Sequence, residues 1–291
     1  LYHRAGTPYD DVQRQPYHDN HRRFAALGWV ASLLACGLDT AWQPAVIQSH
    51  DWHAALTSAY LAFGAVEGRR VASIYTVHNL AYQGVFAPIH FFDLGLPPHA
   101  FAVNGVEFHG QVSFMKAGLY FADHITTVSP TYAREIQTPE QGCGLDGLLR
   151  SRAGEITGIL NGVDETVWNP ATDSAIDSSY DAKKPAGKAR CKAALQQSLG
   201  LLVQPDAPMF GVVSRLTEQK GLHLVLAVLD ELVARGGQLV VLGTGEAALE
   251  AAFQARAAAN PQSVSVRIGY DEVYAHQIFA ATDVTFVPSR F

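Results

Sequence analysis

Short apolar runs that read as strands recur along this chain at residues 46–49, 71–77, 124–128, 156–160, 209–213, 239–242, 264–268 and 284–287. Helical patterns lie between most of them, at 52–66, 114–121, 222–235, 247–259 and 272–281. Parallel strands need a crossover connection, usually a helix, so this alternation predicts βαβ units and a parallel sheet. The fold class is α/β. Residues 169–189 change character, being rich in Asp, Ser, Lys and Pro, and read as a linker or surface excursion near the start of a second domain. A helix over about 187–199 then leads into the strand at 209. With 291 residues, 48% of them hydrophobic, the chain can fill two cores, and the expected domains are 1–156 and 157–291.

Several function classes fall away on composition. The formal charge is −6 and no Lys/Arg-rich block occurs, which argues against a nucleic-acid partner. Cys36, Cys143 and Cys191 are odd in number and form no Cys-x-x-Cys pair, so neither a disulfide framework nor a structural zinc site is expected. No apolar run approaches the roughly 20 residues that span a bilayer, and Leu1-Tyr2-His3-Arg4 does not open a signal peptide. No membrane partner and a cytoplasmic location are the expectation. The chain lacks an initiator Met and stops directly after an apolar run, as a piece of a longer protein would.

In an open parallel sheet, ligands meet residues at the carboxyl ends of the strands. Arg215 and Lys220 follow the strand at 209–213 and precede a helix start, where free N–H groups and the dipole favour anions. Two cations there suit a diphosphate. Gly243-Thr244-Gly245 ends the next strand, and either closes a tight turn or binds substrate. Tyr270 ends a third, where its ring could stack on a nucleobase or simply pack.

The first half has its own strand ends. In His50-Asp51-Trp52-His53, Asp51 could place a carboxylate at the ligand crevice or cap the helix that follows. A metal on His50 and His53 lacks a third ligand motif. His78 follows the strand at 71–77 and could bond a sugar hydroxyl or act as acid or base. Asn161 closes the run at 156–160 in the same manner. No Asp-x-Asp occurs, so no metal and no cofactor are expected, and a departing diphosphate would be met by Arg215, Lys220 and helix-start N–H groups.

Together these stretches resemble the bacterial glycogen synthase family, the ADP-glucose-dependent glycosyltransferases that include plant starch synthases. The resemblance rests on His50-Asp51-Trp52-His53, Thr76-Val77-His78-Asn79-Leu80-Ala81-Tyr82-Gln83-Gly84, Lys116-Ala117-Gly118-Leu119-Tyr120 and the stretch 123–136. It continues through Leu160-Asn161-Gly162-Val163-Asp164, Val213-Ser214-Arg215-Leu216-Thr217 with Gln219-Lys220-Gly221, and Pro288-Ser289-Arg290-Phe291. It implies two Rossmann-like domains facing across a cleft, the GT-B architecture, and metal-independent transfer of glucose from ADP-glucose to the non-reducing end of an α-1,4-glucan with retention. By the same resemblance Arg215 and Lys220 hold the donor diphosphate, Tyr270 stacks on adenine, Asn161 and His78 contact the glucosyl unit, and Asp51 supports activity. Gly243 and Thr244 join the substrate-binding set as the next strand end.

The family's Lys-Thr-Gly-Gly-Leu loop would lie upstream of Leu1, and its Glu-Pro-Cys-Gly-Leu continuation would follow Phe291. The expectation is a parent synthase whose 291 residues here are inactive, or nearly so, on their own, with sheet edges exposed. Sucrose or trehalose-phosphate synthases, and a noncatalytic glucan-binding protein on a decayed transferase fold, are the rival readings. A dehydrogenase is excluded by the lack of Gly-x-Gly-x-x-Gly.

Overall fold

The computed structural model describes residues 2–13, 15–64 and 71–290. Ala65 and Val66, at the end of the helix expected over 52–66, lie outside the described residues, as do Leu1 and Phe291. The chain divides into two compact units, Leu1–Gly162 and Val163–Phe291.

In the first unit, β1 (Val46–His50), β2 (Ala72–Val77), β6 (His124–Thr127) and β7 (Ile156–Gly158) form a parallel sheet in the order β1-β2-β6-β7. Because Ile156–Gly158 pairs with β6, the line between the units falls after Gly162 rather than after residue 156. Threonines suit the pleated sheet and satisfy one another across it. Thr76 Oγ1 accepts from Gln48 Nε2 at 2.8 Å and meets Thr126 Oγ1 at 2.7 Å. Tyr75 and Val77 are fully buried beneath α4 (Phe114–Phe121) and its neighbours. Gly118 allows this close approach, since a Cβ there would sit 2.5 Å from the Tyr75 ring.

Helices α1 (Asn20–Ala35), α2 (Asp51–Ala54) and α3 (Leu56–Ala62) pack on the same core, followed by α5 (Pro130–Glu135) and α6 (Asp146–Ser151). The expected helix from residue 52 is thus split at Ala55 into α2 and α3. A small antiparallel sheet, β3 (Val85–Phe86), β4 (Glu107–Phe108) and β5 (Gln111–Ser113), fills the connection before α4.

The second unit is a parallel sheet ordered β10-β9-β8-β11, from β8 (Met209–Val213), β9 (Gln238–Gly243), β10 (Val264–Ile268) and β11 (Val284–Thr285). Every residue of β9 is buried, as a central strand covered on both faces requires. Its side chains alternate between two cores. Val240 and Leu242 join Met209, Leu195 and Ile278 with α7 (Ala186–Ser198) and α10 (Glu272–Ala281). Leu239 and Val241 join Val212, Leu229 and Phe253 with α8 (Leu222–Ala234) and α9 (Ala247–Ala259). The expected excursion at 169–189 holds no strand, and α7 begins only near its end. All three cysteines are free thiols, and no helix among the described residues is long and apolar enough to cross a membrane.

Candidate active site

In the first unit, β1 and β2 run parallel with His50 opposite Thr76, so the carboxyl ends of both strands lie side by side. That register brings His50-Asp51 next to His78. Asp51 does not cap the helix behind it. It adopts φ 51°, in the left-handed region that a non-glycine residue rarely occupies, and its Oδ1 accepts the His78 backbone N–H at 2.8 Å. His50 Nδ1 lies 3.0 Å from His78 Nε2. His53 turns the other way, onto Tyr9, Phe24 and Trp52, and burial pushes its proton affinity below the ordinary histidine value. The two histidines of this motif therefore engage different neighbours, His50 the His78 ring and His53 the aromatic core.

The segment after His78 is anchored throughout. Leu80 N–H donates to the Tyr132 hydroxyl at 2.9 Å, and Asn79 Oδ1 accepts from Ala81 N–H at 3.0 Å. The carbonyls of Gln83 and Gly84 receive the first amides of α4. Gly84, at φ 58°, lies against the Trp52 ring, where a Cβ would approach to 2.4 Å. Asn161 sits in exposed, irregular chain beyond β7, which ends at Gly158.

In the second unit, β10, β9 and β8 are adjacent, so Tyr270, Gly243-Thr244 and Arg215 come to the same sheet edge. Two strand spacings separate the outer pair, about 9–10 Å. Arg215 is exposed and Lys220 half-buried, and among the described residues neither side chain has an ion pair or hydrogen bond. Lys220 lies on the wall of a concavity of about 140 Å³ shared with Ser214, Leu222 and the chain over residues 285–289. Gly221 is the N-cap of α8 at φ 65°, and a Cβ would strike the Pro288 carbonyl at 2.0 Å. Arg290 ties the same loop down through Glu218 at 2.6 Å.

Both glycines of the Gly243-Thr244-Gly245 turn are required by close approach. Their Cβ positions fall 1.9 Å from the Ser214 carbonyl and 2.2 Å from the Leu216 carbonyl. The Thr244 hydroxyl and Gly245 N–H both donate to Glu250, at 2.8 and 2.7 Å. Tyr270 is 87% exposed, its ring standing clear beyond β10, while Asp271 caps α10. Sequence reasoning missed the parts of His50, Tyr132, Glu250 and Arg290. Of these, His50 carried a signal, since it ends the same strand as Asp51.

One group among the described residues has a metal-type donor set. His21, His90 and Asp93 place one donor atom each within 4.8 Å. It belongs to α1 and the 3-10 turn Pro88–Asp93 rather than to the strand ends. The Asp93 carboxylate is engaged by Arg22 at 2.9 Å, His21 at 3.0 Å and His90 at 3.7 Å, and the two imidazole centroids lie 3.9 Å apart with the rings tilted.

Two parallel α/β sheets with chemistry-bearing residues at their carboxyl ends are the architecture of GT-B type glycosyltransferases. Residues 1–151 match the starch synthase catalytic domain, and the chain belongs to that family. It is 67% identical over 295 aligned residues to the glycogen synthase of Variovorax paradoxus (strain S110), and 60% identical over 292 to that of Leptothrix cholodnii. Each match takes in 100% of this chain and 60% of the relative, so the chain spans about three-fifths of their length. The catalytic domain of starch synthase IV from Arabidopsis thaliana, bound to ADP and acarbose, superposes with a TM-score of 0.87 at 31% identity, covering 96% of this chain and 58% of that one.

Proposed function

We propose that the protein is a glycogen synthase that transfers glucose from ADP-glucose to the non-reducing end of an α-1,4-glucan, with retention and without a metal. The observation that carries this reading is the 67% identity to a glycogen synthase across the entire chain. Binding of ADP and acarbose by the starch synthase IV domain supports an ADP-sugar donor and a glucan acceptor.

In the second unit, Tyr270 receives adenine and Arg215 with Lys220 receives the diphosphate, a span that two strand spacings suit. As the glycosidic bond to phosphate breaks, negative charge grows on the departing ADP. Arg215 can bond two oxygens at once, Lys220 adds a point charge, and the α8 N-terminus adds its dipole. These cations take the place of a metal, and no cofactor enters the reading. Gly243 and Thr244 join the substrate-binding strand end: Gly243 lets the Arg215 loop approach β9, and Thr244 stands beside it with its hydroxyl held by Glu250.

In the first unit, His78 meets the glucosyl unit close to the reacting carbon, and Asp51 fixes the backbone that presents it. Asn161 adds a further sugar contact. Free thiols support a reducing, cytoplasmic setting.

The test is glucose incorporation into glycogen by the whole protein, supplied in turn with ADP-glucose and UDP-glucose. Incorporation from ADP-glucose into α-1,4 linkages is expected. Incorporation only from UDP-glucose, or into no glucan at all, would overturn the reading.

A further inference from the structure

We propose that His50 is a positioning residue for His78. It accepts the Nε2 proton of His78 and so leaves His78 Nδ1 as a lone pair that receives a hydroxyl proton of the glucosyl unit. The inference rests on the synthase reading for the identity of that hydroxyl, but not for the state of the two rings.

The parallel register sets the pair. His50 lies opposite Thr76, and His78 follows β2 at the same sheet edge. Asp51, strained at φ 51°, holds the His78 main chain at 2.8 Å, while His50 holds the ring at 3.0 Å. His78 is thus fixed at two points by consecutive residues. An exposed histidine with one hydrogen bond would otherwise turn and exchange tautomers freely.

Between His50 Nδ1 and His78 Nε2 there is room for one proton, so one ring donates and the other accepts. If His50 donates, both neutral rings must carry their proton on Nδ1, the intrinsically less stable form of a histidine side chain. If His78 donates, both carry it on Nε2, the more stable form. The second arrangement costs neither ring, and it leaves the His50 Nε2–H in solvent, where that residue is exposed. It also fixes what His78 offers to a ligand. Nδ1 is the remaining polar atom of its ring, no described residue takes it up, and in this tautomer it can only accept. A sugar presents hydroxyl donors, so the matched group is a hydroxyl of the transferred glucosyl unit rather than its ring oxygen or a phosphate oxygen.

The ring states can be read independently of activity, from long-range 1H–15N spectra of the histidine-labelled whole protein at a pH where both rings are neutral. His78 should show a protonated Nε2 and a bare Nδ1. In His50→Phe the two nitrogens should move toward a tautomer average. In His50→Asn, whose side-chain oxygen can accept the same proton, the wild-type pattern should persist. In the whole protein, His50→Phe should lower kcat about five- to tenfold, the worth of one hydrogen bond, with donor KM little changed and His50→Asn recovering most of the rate. A wild-type His78 that is averaged or protonated on Nδ1, or whose pattern is untouched in His50→Phe, would overturn the inference. Absence of transfer by the wild type would overturn the synthase reading instead, and the spectra would still decide the ring states.

Discussion

Gly84 shows how a single position ties the site to the core. It lies at φ 58° with the Trp52 ring occupying its Cβ direction, and Trp52 in turn packs edge-on against Phe24 at 4.7 Å. Gly84→Ala must shift that indole and strain the turn after His78, at a cost of about 1–3 kcal/mol. Urea unfolding should show a correspondingly lower midpoint, and an unchanged midpoint would contradict the packing described. The sequence made Asp51 and His78 legible because each directly follows an apolar run. It left Asp51 with two readings, a helix cap or a carboxylate at the ligand crevice; the structure shows no cap, and one carboxylate oxygen holds the His78 amide at the strand end. That bond depends on the register of β1 against β2, which local patterns do not encode. The same holds for Gly243 and Gly245, whose need comes from the Ser214 and Leu216 carbonyls on a neighbouring loop.

At the scale of elements, all eight strands read from sequence are present, because β-branched runs bounded by turn residues carry a strong local signal. The elements that escaped are informative. α1 lacks a clean apolar stripe: it buries Asn20, His21 and Arg23 and leaves Leu27, Trp29 and Val30 exposed, so its pattern does not mark a core face. β3 and β4 are two residues each, too short for any periodicity. Packing of α2 against α1 also predicts a pH dependence. Burial lowers the proton affinity of His53 in the folded state, while in the unfolded chain it titrates near 6.5. The unfolded state therefore binds more protons as pH falls, and stability contributed by neutral His53 is lost below that value. Unfolding midpoints between pH 7.5 and 5.5 should fall more steeply in the wild type than in His53→Gln. Identical slopes would show that His53 is not buried neutral.

For the whole molecule, membership of the starch synthase family was legible because its motifs are spread along the chain in order, from His50 to Arg290. What sequence could not supply is the convergence of three strand ends on one edge of the second sheet, since the order β10-β9-β8-β11 comes from chain crossovers. In the proposed synthase, Arg215 and Lys220, without partners of their own among the described residues, carry the charge of the departing diphosphate. The direct measurement is kcat/KM for ADP-glucose in the whole protein with Arg215→Ala and Lys220→Ala, beside their unfolding midpoints. Each variant should lose about 100- to 1,000-fold, as removal of one preorganised transition-state donor does, with the midpoint close to wild type because neither side chain is buried in a core. Rates within a few-fold of wild type in both variants would show that these two cations do not meet the departing diphosphate.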